Sequence, residues 1–478
     1  MKNKKQDNFN SVAIKSGSGY MIANILIRAS ALLTAPIFTR ILSTSDYGIA
    51  ANFIAWMNIF LIFTGLGLPY SIGVAKMDFP KQLNKYIASI QTLGNISALI
   101  FLIIAVLFKQ KLAEWMILDG DLVLVMFIYL LVLPSVVFSQ EKYKFQLKYK
   151  ENIYIAFVNS FGAIFSCLIL IFFVFNVDRY YGRIIGLILP MFLMGIFFFI
   201  KIIREGWFAN VKKYWKYALK ISLPMIPHAL AMVVLNQIDR IMIIDSSGSS
   251  DAGLYSFGFA YAILLMIFSN AILQAYKPWL YTKYKTNELL QIKDSHRIIT
   301  FIVCLLTIVI IAVGPEVLKV LGAKEFWEAK WVIVPIALSA LFQYIYNSYS
   351  SLELYHKKTK IIAIGSVITA LINYMLNSSF IPIYGYTAAA YTTFISYLIL
   401  SIFHYFGYKN ICKKVVFDDN FIWVSALLTI GVSFIMLFFY NSILLRYTLL
   451  ILLLGLVFIL KKNKIKEVSK TLFITYKK

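Results

Sequence analysis

Three arginines stand inside apolar stretches of this chain, Arg28, Arg240 and Arg446. A guanidinium held within a membrane suits one task above others, the binding of an anion. Arg28 is the sharpest of the three. It lies about 8 residues, hence ~12 Å, into an apolar run that begins at Tyr20, and no carboxylate stands within four residues of it. A resident cation without a local partner needs either an acid from a distant segment or an anionic substrate. Arg240 follows Asp239 directly, yet neighbours in a helix do not face one another, so that pair need not neutralise itself. Arg446 opens the last apolar run and reads as an interfacial anchor. Arg40 and Asp239, near the ends of their runs, are gate candidates.

Uncharged polar residues recur beside these cations at spacings of three or four, which places each set on one helix face. The sets are Asn24 with Arg28, Gln91 with Asn95, Asn236 with Arg240, Asn270 with Gln274 and Lys277, Gln343 with Asn347 and Ser350, and Asn373 with Asn377. A single stripe is explained by interhelical hydrogen bonds of ~0.6 kcal/mol each. Together they fit a wet central cavity, because so many polar groups facing lipid would go unsatisfied. Arg28, Asn24, Arg240, Asn236, Asn270, Gln274, Lys277, Gln343, Asn347 and Asn373 are therefore the substrate-binding candidates. Pro224, Pro227 and His228 lie in Ser222-Leu-Pro-Met-Ile-Pro-His228, where two prolines three apart loosen a helix and supply a hinge. His228 either titrates there or bonds a carbonyl that the prolines release. No Asp or Glu occupies the middle of an apolar run; Glu316, Glu353 and Asp239 are all placed near run ends. Carriers of lipophilic cations generally need a buried carboxylate, so the expected cargo is anionic and simple proton antiport is disfavoured. Cys167, Cys304 and Cys412 are far apart and odd in number, which gives neither a disulfide framework nor a metal site.

The elements that must position these residues are membrane helices. The 478-residue chain is 60% hydrophobic and 14% charged, against roughly a quarter charged in soluble proteins, and its mean hydropathy is +0.77. It divides into about fourteen apolar stretches near the ~20 residues that a bilayer core requires. Of its 46 Lys and Arg, 35 fall on one set of alternate connections, 8 on the other and 3 within apolar runs. The positive-inside rule then puts both termini in the cytoplasm. The net charge of +24 is spread over juxtamembrane loops and a basic tail, so membrane lipid headgroups are its expected partners and nucleic acid is not. The leader Met1–Ser16 carries Lys2, Lys4, Lys5 and Lys15 and runs into a retained first span. The longest connections, Lys201–Lys220 and Pro278–Arg297, leave no room for an extramembrane catalytic domain, and an enzyme is not expected. The seventh crossing is placed at Ile221–Ile244, the eleventh at Ile361–Ile383 and the twelfth at Tyr386–Tyr408.

The chain also repeats. Arg40-Ile-Leu-Ser-Thr-Ser-Asp46-Tyr-Gly48 joins the first two spans, and Arg240 through Asp251-Ala-Gly253 joins the seventh and eighth. In each, an Arg closes one helix and Asp-x-Gly opens the next. The fold expected is all-α and polytopic, with two six-helix lobes of like orientation around a midplane cavity and two extra C-terminal helices. Residues 1–200 form the N-lobe, 201–220 a cytoplasmic linker, 221–410 the C-lobe, and 411–478 the last two helices with a basic tail.

Thr34-Ala-Pro36-Ile-Phe-Thr-Arg40-Ile-Leu-Ser-Thr-Ser-Asp46-Tyr-Gly48, Leu223-Pro224-Met-Ile-Pro227-His228 and Asn236-Gln-Ile-Asp239-Arg240 together resemble the polysaccharide-transport branch of the multidrug/oligosaccharidyl-lipid/polysaccharide exporter superfamily. The resemblance implies a MATE-like transporter of the bacterial cytoplasmic membrane. Such a protein flips undecaprenyl-diphosphate-linked oligosaccharide repeat units by alternating access, for O-antigen, capsule or related polysaccharide. It further implies a cationic cavity to which Arg28 and Arg240 contribute, polysaccharide polymerase and chain-length machinery as partners, and no cofactor beyond a coupling ion. A lipid II flippase of peptidoglycan synthesis is the neighbouring alternative. A drug or cation exporter lacks the carboxylate it would need, and a polysaccharide polymerase lacks the outer loops.

Overall fold

The computed structural model describes residues 34–206 and 211–455, and all regular structure among them is helical. The first crossing is described over residues 34–41 (α1). It leads into α2 (Thr44–Gly65), α3 (Pro69–Asp78), α4 (Leu83–Leu107), α5 (Lys109–Met116), α6 (Gly120–Phe145), α7 (Tyr149–Phe157), α8 (Ala163–Phe173) and α9 (Arg179–Gly206). The second half runs through α10 (Val211–Ser222), α11 (Ile226–Ser247), α12 (Ser249–Ala262), α13 (Leu264–Lys285), α14 (Leu289–Leu321), α15 (Lys330–Tyr355), α16 (Thr359–Cys412), α17 (Asp419–Phe438) and α18 (Ile443–Gly455). Among the described residues, eleven segments are long and apolar enough to cross a membrane. One of them, the 54-residue α16, would reach about 80 Å as a single rod. Gly385 breaks it at φ 63°, ψ −152°, and the two arms are the eleventh and twelfth crossings. Counting both arms of α16, the described residues supply twelve crossing segments, with α1 and the shorter apolar helix α18 beside them.

Local chemistry explains where the helices start and stop. Ser43 and Asp46 form a capping box on α2: the Asp46 amide donates to Ser43 Oγ at 3.1 Å, and the Ser43 amide donates to Asp46 Oδ2 at 3.0 Å. Ser43 is thus the cap and Asp46 its reciprocal partner. The second copy of the motif differs, since Gly248 precedes α12 with no side-chain cap. The second crossing of each half is interrupted. Leu66 and Gly67 turn left-handed between α2 and α3, where Pro69 restarts the helix, and Ile263 separates α12 from α13.

The seventh crossing departs from expectation. Pro224 and Pro227 do not kink a helix begun at Ile221; a 3-10 turn at Leu223–Met225 carries Pro224, and α11 starts at Ile226 with Pro227 in its first turn, where a missing amide is harmless. His228 follows in that turn, half-buried, with Nδ1 free of a protein partner. The linker before it is α10, whose Tyr214, Trp215 and Tyr217 bond to Gln82, the Ser89 carbonyl and Asp78.

At the end of the bundle poor in lysine, the two halves meet through their repeated motifs. Thr44 Oγ1 lies 2.8 Å from Ser250 Oγ, and Ser45 Oγ lies 2.6 Å from Ser249 Oγ. Gly48 backs directly onto the Ser249 carbonyl, and Gly253 onto the Thr44 carbonyl, so a β-carbon at either site would collide with backbone. The contact is reciprocal, as a two-fold relation between the repeats requires. Arg40 lies beside this seam, exposed, its Nη1 donating to the Pro36 carbonyl at 2.6 Å.

The last crossing is tied down by an ion pair. Arg446 is fully buried, bonds Glu316 of α14 and donates to the Tyr440 carbonyl at 2.6 Å. It is a structural bolt between α18 and α14 rather than the interfacial anchor expected from sequence.

Two outcomes follow. Glu316→Ala leaves the Arg446 guanidinium buried without its carboxylate, and a loss of about 3–5 kcal/mol is expected. A thermal midpoint of the purified protein equal to that of the wild type would contradict the pairing. Gly48→Ala should part the lysine-poor seam, raising severalfold the labelling of Ser45→Cys by a membrane-impermeant maleimide. Unchanged labelling would show that the seam is not closed by glycine packing.

Candidate functional site

On α11, Asn236 and Arg240 share one face four residues apart, while the structure sends the neighbouring Asp239 in a different direction from Arg240. Asp239 turns into the second half and is completely buried. Its carboxylate accepts from Tyr255 of α12, from Asn377 Nδ2 at 2.7 Å and from Thr393 Oγ1 at 2.9 Å. Asn377 also accepts from Thr392 and donates to Asn373 Oδ1 at 3.3 Å. The carboxylate is thereby held by neutral donors from two helices. Asp239 and Glu353, both placed near run ends by sequence, are nevertheless fully buried among the helices.

Arg240 turns the other way, toward the first half. Its guanidinium donates to the Asn236 carbonyl at 2.7 Å and lies 4.6 Å from the Phe259 ring and 5.6 Å from the Tyr255 ring. It lines a cavity of about 210 Å³ together with Tyr47, Ala50, Ala51 and Ile54 of α2, Arg183 and Leu187 of α9, Gln237 and Ser256. Arg183 stacks 3.7 Å over the Phe38 ring, with Nη1 3.7 Å from the Cys167 sulfur. Two guanidiniums, one from each half, thus share one cavity whose lining, among the described residues, includes no Asp or Glu. Both lean on aromatic faces, which steady a cation without neutralising it. Both keep donor hydrogens for a ligand. The volume is below the ~300–1,000 Å³ of pockets that enclose drug-sized molecules, so it suits a compact anionic group rather than a whole glycan.

A second cavity of about 420 Å³ lies toward the lysine-rich end. The Gly65–Pro69 break, Pro134, Phe138, Glu141, Lys144 and Ala229 line it. The interruption of the second crossing therefore faces open space, the setting in which irregular backbone is tolerated at membrane depth.

The other sequence candidates are distributed differently. Arg28 and Asn24 lie outside the described residues. Asn236 serves the site through its carbonyl, while its Oδ1 faces Tyr397 at 3.5 Å. Gln343 bonds Tyr397, Asn347 bonds Asn270 at 3.3 Å, and Asn373 joins the Asp239 cluster. These four stitch α13, α15 and α16 together rather than line the arginine cavity. Gln274 is exposed and Lys277 half-buried on α13, and neither reaches that cavity. Sequence reasoning missed Arg183, because it stands only a few residues into the sixth span and is naturally counted with the loop charges. Its spacing of four from Leu187 and of three from Gly186, both on the packed face, was the available signal.

Comparison with known proteins places this geometry. An uncharacterized membrane protein of Haemophilus influenzae is 24% identical over 377 residues, covering 75% of this chain and 88% of the relative. Among solved structures, the lipid II flippase MurJ in an inward closed conformation superposes with a TM-score of 0.71 at 18% identity, covering 93% of this chain and 99% of MurJ. An inward-facing multidrug resistance MATE transporter of the MOP superfamily gives 0.57 at 13% identity, covering 82% and 97%. At these identities the likeness establishes a shared fold. The family model described as polysaccharide biosynthesis protein matches residues 13–283, more than half of the chain. This multi-span membrane protein belongs to the polysaccharide biosynthesis protein family, and its fold is that of the MOP transporters.

Proposed function

We propose that the chain is a flippase that turns an undecaprenyl-diphosphate-linked oligosaccharide across the bacterial cytoplasmic membrane by alternating access. The observation that carries this is the cavity that Arg183 and Arg240 line from the two halves, with no carboxylate among its described lining residues. A diphosphate cannot cross hydrocarbon bare, and guanidinium forks take phosphate oxygens in pairs. The glycan needs only hydrogen-bonding surface, and the polyprenyl tail can stay in lipid. No bond is made or broken, so the work is transport. Family membership and the MurJ-like fold support the same class of cargo.

The lysine-rich end is the cytoplasmic one in this account, with both termini there. The 420 Å³ cavity is then the cytoplasmic vestibule, and the seam at Gly48 and Gly253 is the closed outer gate. Residues before the linker and those from Ile226 onward act as the two lobes. The flipped unit passes to polymerase and chain-length machinery for O-antigen, capsule or a related polymer. The buried carboxylate of Asp239 supports coupling to an ion gradient. A drug-cation exporter is disfavoured by two cations without a lining acid. Lipid II is the second cargo to consider, because MurJ shares the fold.

Deleting the gene and analysing polyprenyl-linked lipids by mass spectrometry should reveal an oligosaccharide-diphosphate lipid accumulating on the inner leaflet, with surface glycan lost and growth maintained. Lysis with accumulated lipid II would favour the second cargo; an unchanged lipid profile would defeat both. Complementation with Arg183→Ala or Arg240→Ala should lower export about 10–100-fold at normal membrane levels, matching ~1.5–3 kcal/mol for each charged contact. Wild-type export by both variants would remove the arginines from the mechanism.

A further inference from the structure

A second buried ionic unit lies in the other half of the molecule, apart from the arginine cavity. Glu353 stands in the last turn of α15 and His404 in the second arm of α16. Both side chains are fully buried, with His404 Nδ1 2.7 Å from Glu353 Oε2. Glycines make room for them. A side chain at Gly407 would strike Glu353 Oε1, and one at Gly365, on the first arm of α16, would come within 3.0 Å of His404 Nε2. Three helical segments therefore close around the pair.

Two of its atoms are left over. Glu353 Oε1 and His404 Nε2 are buried and have no hydrogen-bond partner among the described residues. The titratable groups facing the pair are Tyr346 of α15, whose ring lies 4.9 Å from the imidazole, and Cys412 of α16, within electrostatic reach of the carboxylate. Both are neutral in their ordinary forms at pH 7. Among the described residues, the pair is each member's own ion-pair partner.

Charge counting then fixes what the site tolerates. Carboxylate with imidazolium, or carboxylic acid with neutral imidazole, is neutral overall, and both arrangements hold the same single proton between the two groups. Removing that proton leaves a buried negative charge, and adding another leaves a buried positive one. Either change is strongly unfavourable until water or a counter-charge arrives. Glu353 is within one turn, ~5 Å, of the end of α15, and Lys357, Lys358 and Lys360 follow at the lysine-rich end. Water at that end is therefore close.

We propose that Glu353 and His404 form a proton-binding site that exchanges one proton with the lysine-rich side when the segments around it part, and is locked in its neutral state when they close. On release, the proton leaves His404 Nε2 for water. The imidazole left behind is neutral, and its Nδ1–H still donates to the Glu353 carboxylate. Reloading reverses this transfer, and only the N–H bond is made or broken. The binding site stands on its geometry alone; its consequence, transport that responds to pH on that side, rests on the flippase reading above.

Difference infrared spectroscopy of the purified full-length protein in lipid nanodiscs, stepped between about pH 5 and pH 9, tests the site directly. The wild type should show difference bands of the imidazole ring on the pH step, together with a shifted carboxylate stretch from its hydrogen-bonded partner, and Glu353→Gln with His404→Gln should abolish them. The isosteric Glu353→Gln alone, which keeps the packing, should abolish the carboxylate feature if the double variant misfolds. In proteoliposomes, flipping of a fluorescent polyprenyl-diphosphate trisaccharide should lose its pH dependence in the variant while keeping a rate within severalfold of the wild-type optimum. Wild-type bands in the variant spectra, or a wild-type pH profile of flipping, would overturn the proposal. Absence of flipping by the wild type would defeat the flippase reading and leave the spectroscopic result to decide the site.

Discussion

Everything in this protein that concerns function depends on how Asp239 is satisfied. A carboxylate in a helix bundle at membrane depth must be neutralised or saturated with hydrogen bonds, and here Tyr255, Asn377 and Thr393 supply the bonds. Had Asp239 folded back on Arg240, the two would have formed a closed ion pair and the cavity would be nearly neutral. Helix geometry forbids adjacent residues that arrangement, and the donors from α12 and α16 hold the acid on the far side. Arg240 is left with an aromatic bed, one backbone acceptor and an open face. The polar residues of α16 thus set the charge of a cavity they do not touch.

The same helices carry the features on which the proposed alternating access rests. The first turns of α2 and α12 meet backbone to backbone through Gly48 and Gly253, and two pairs of hydroxyls bridge them. Tyr47 of α2 also packs edge-on against Phe257 of α12 and Phe326, so the closed seam joins hydroxyl and backbone contacts to an aromatic one. Toward the other end, the break between α2 and α3 borders an open cavity, and the 3-10 turn at Leu223–Met225 separates α10 from α11. A firm body with interruptions near its ends is what alternating exposure of a central site requires.

Much of the fold was legible in the sequence, because bilayer thickness and charge asymmetry act on every crossing alike. Helix number came from apolar length, and the Asp-x-Gly repeat pointed to the two segments that meet at the lysine-poor seam. The site was only partly legible. Arg240 stood out as a cation in an apolar run, but Arg183, equally placed in the cavity, sits near enough to a loop to look like topology charge. Asp239 and Glu353 were judged by distance from a helix end, whereas burial depends on what packs around that end; Asn377 and Thr393 come from more than 130 residues away. The Asn and Gln stripes carried a correct period and an ambiguous destination. Spacing shows that residues share a face, and it cannot show whether the face meets water or another helix. Four of those residues meet helices.

The central claim is that the arginine cavity holds a diphosphate. Cryo-electron microscopy of the protein in nanodiscs containing undecaprenyl diphosphate tests it most directly. The account predicts density for the two phosphates between the Arg183 and Arg240 guanidiniums, absent from a sample prepared with undecaprenol. Phosphate density elsewhere in the molecule, with the Arg183–Arg240 cavity empty, would contradict it.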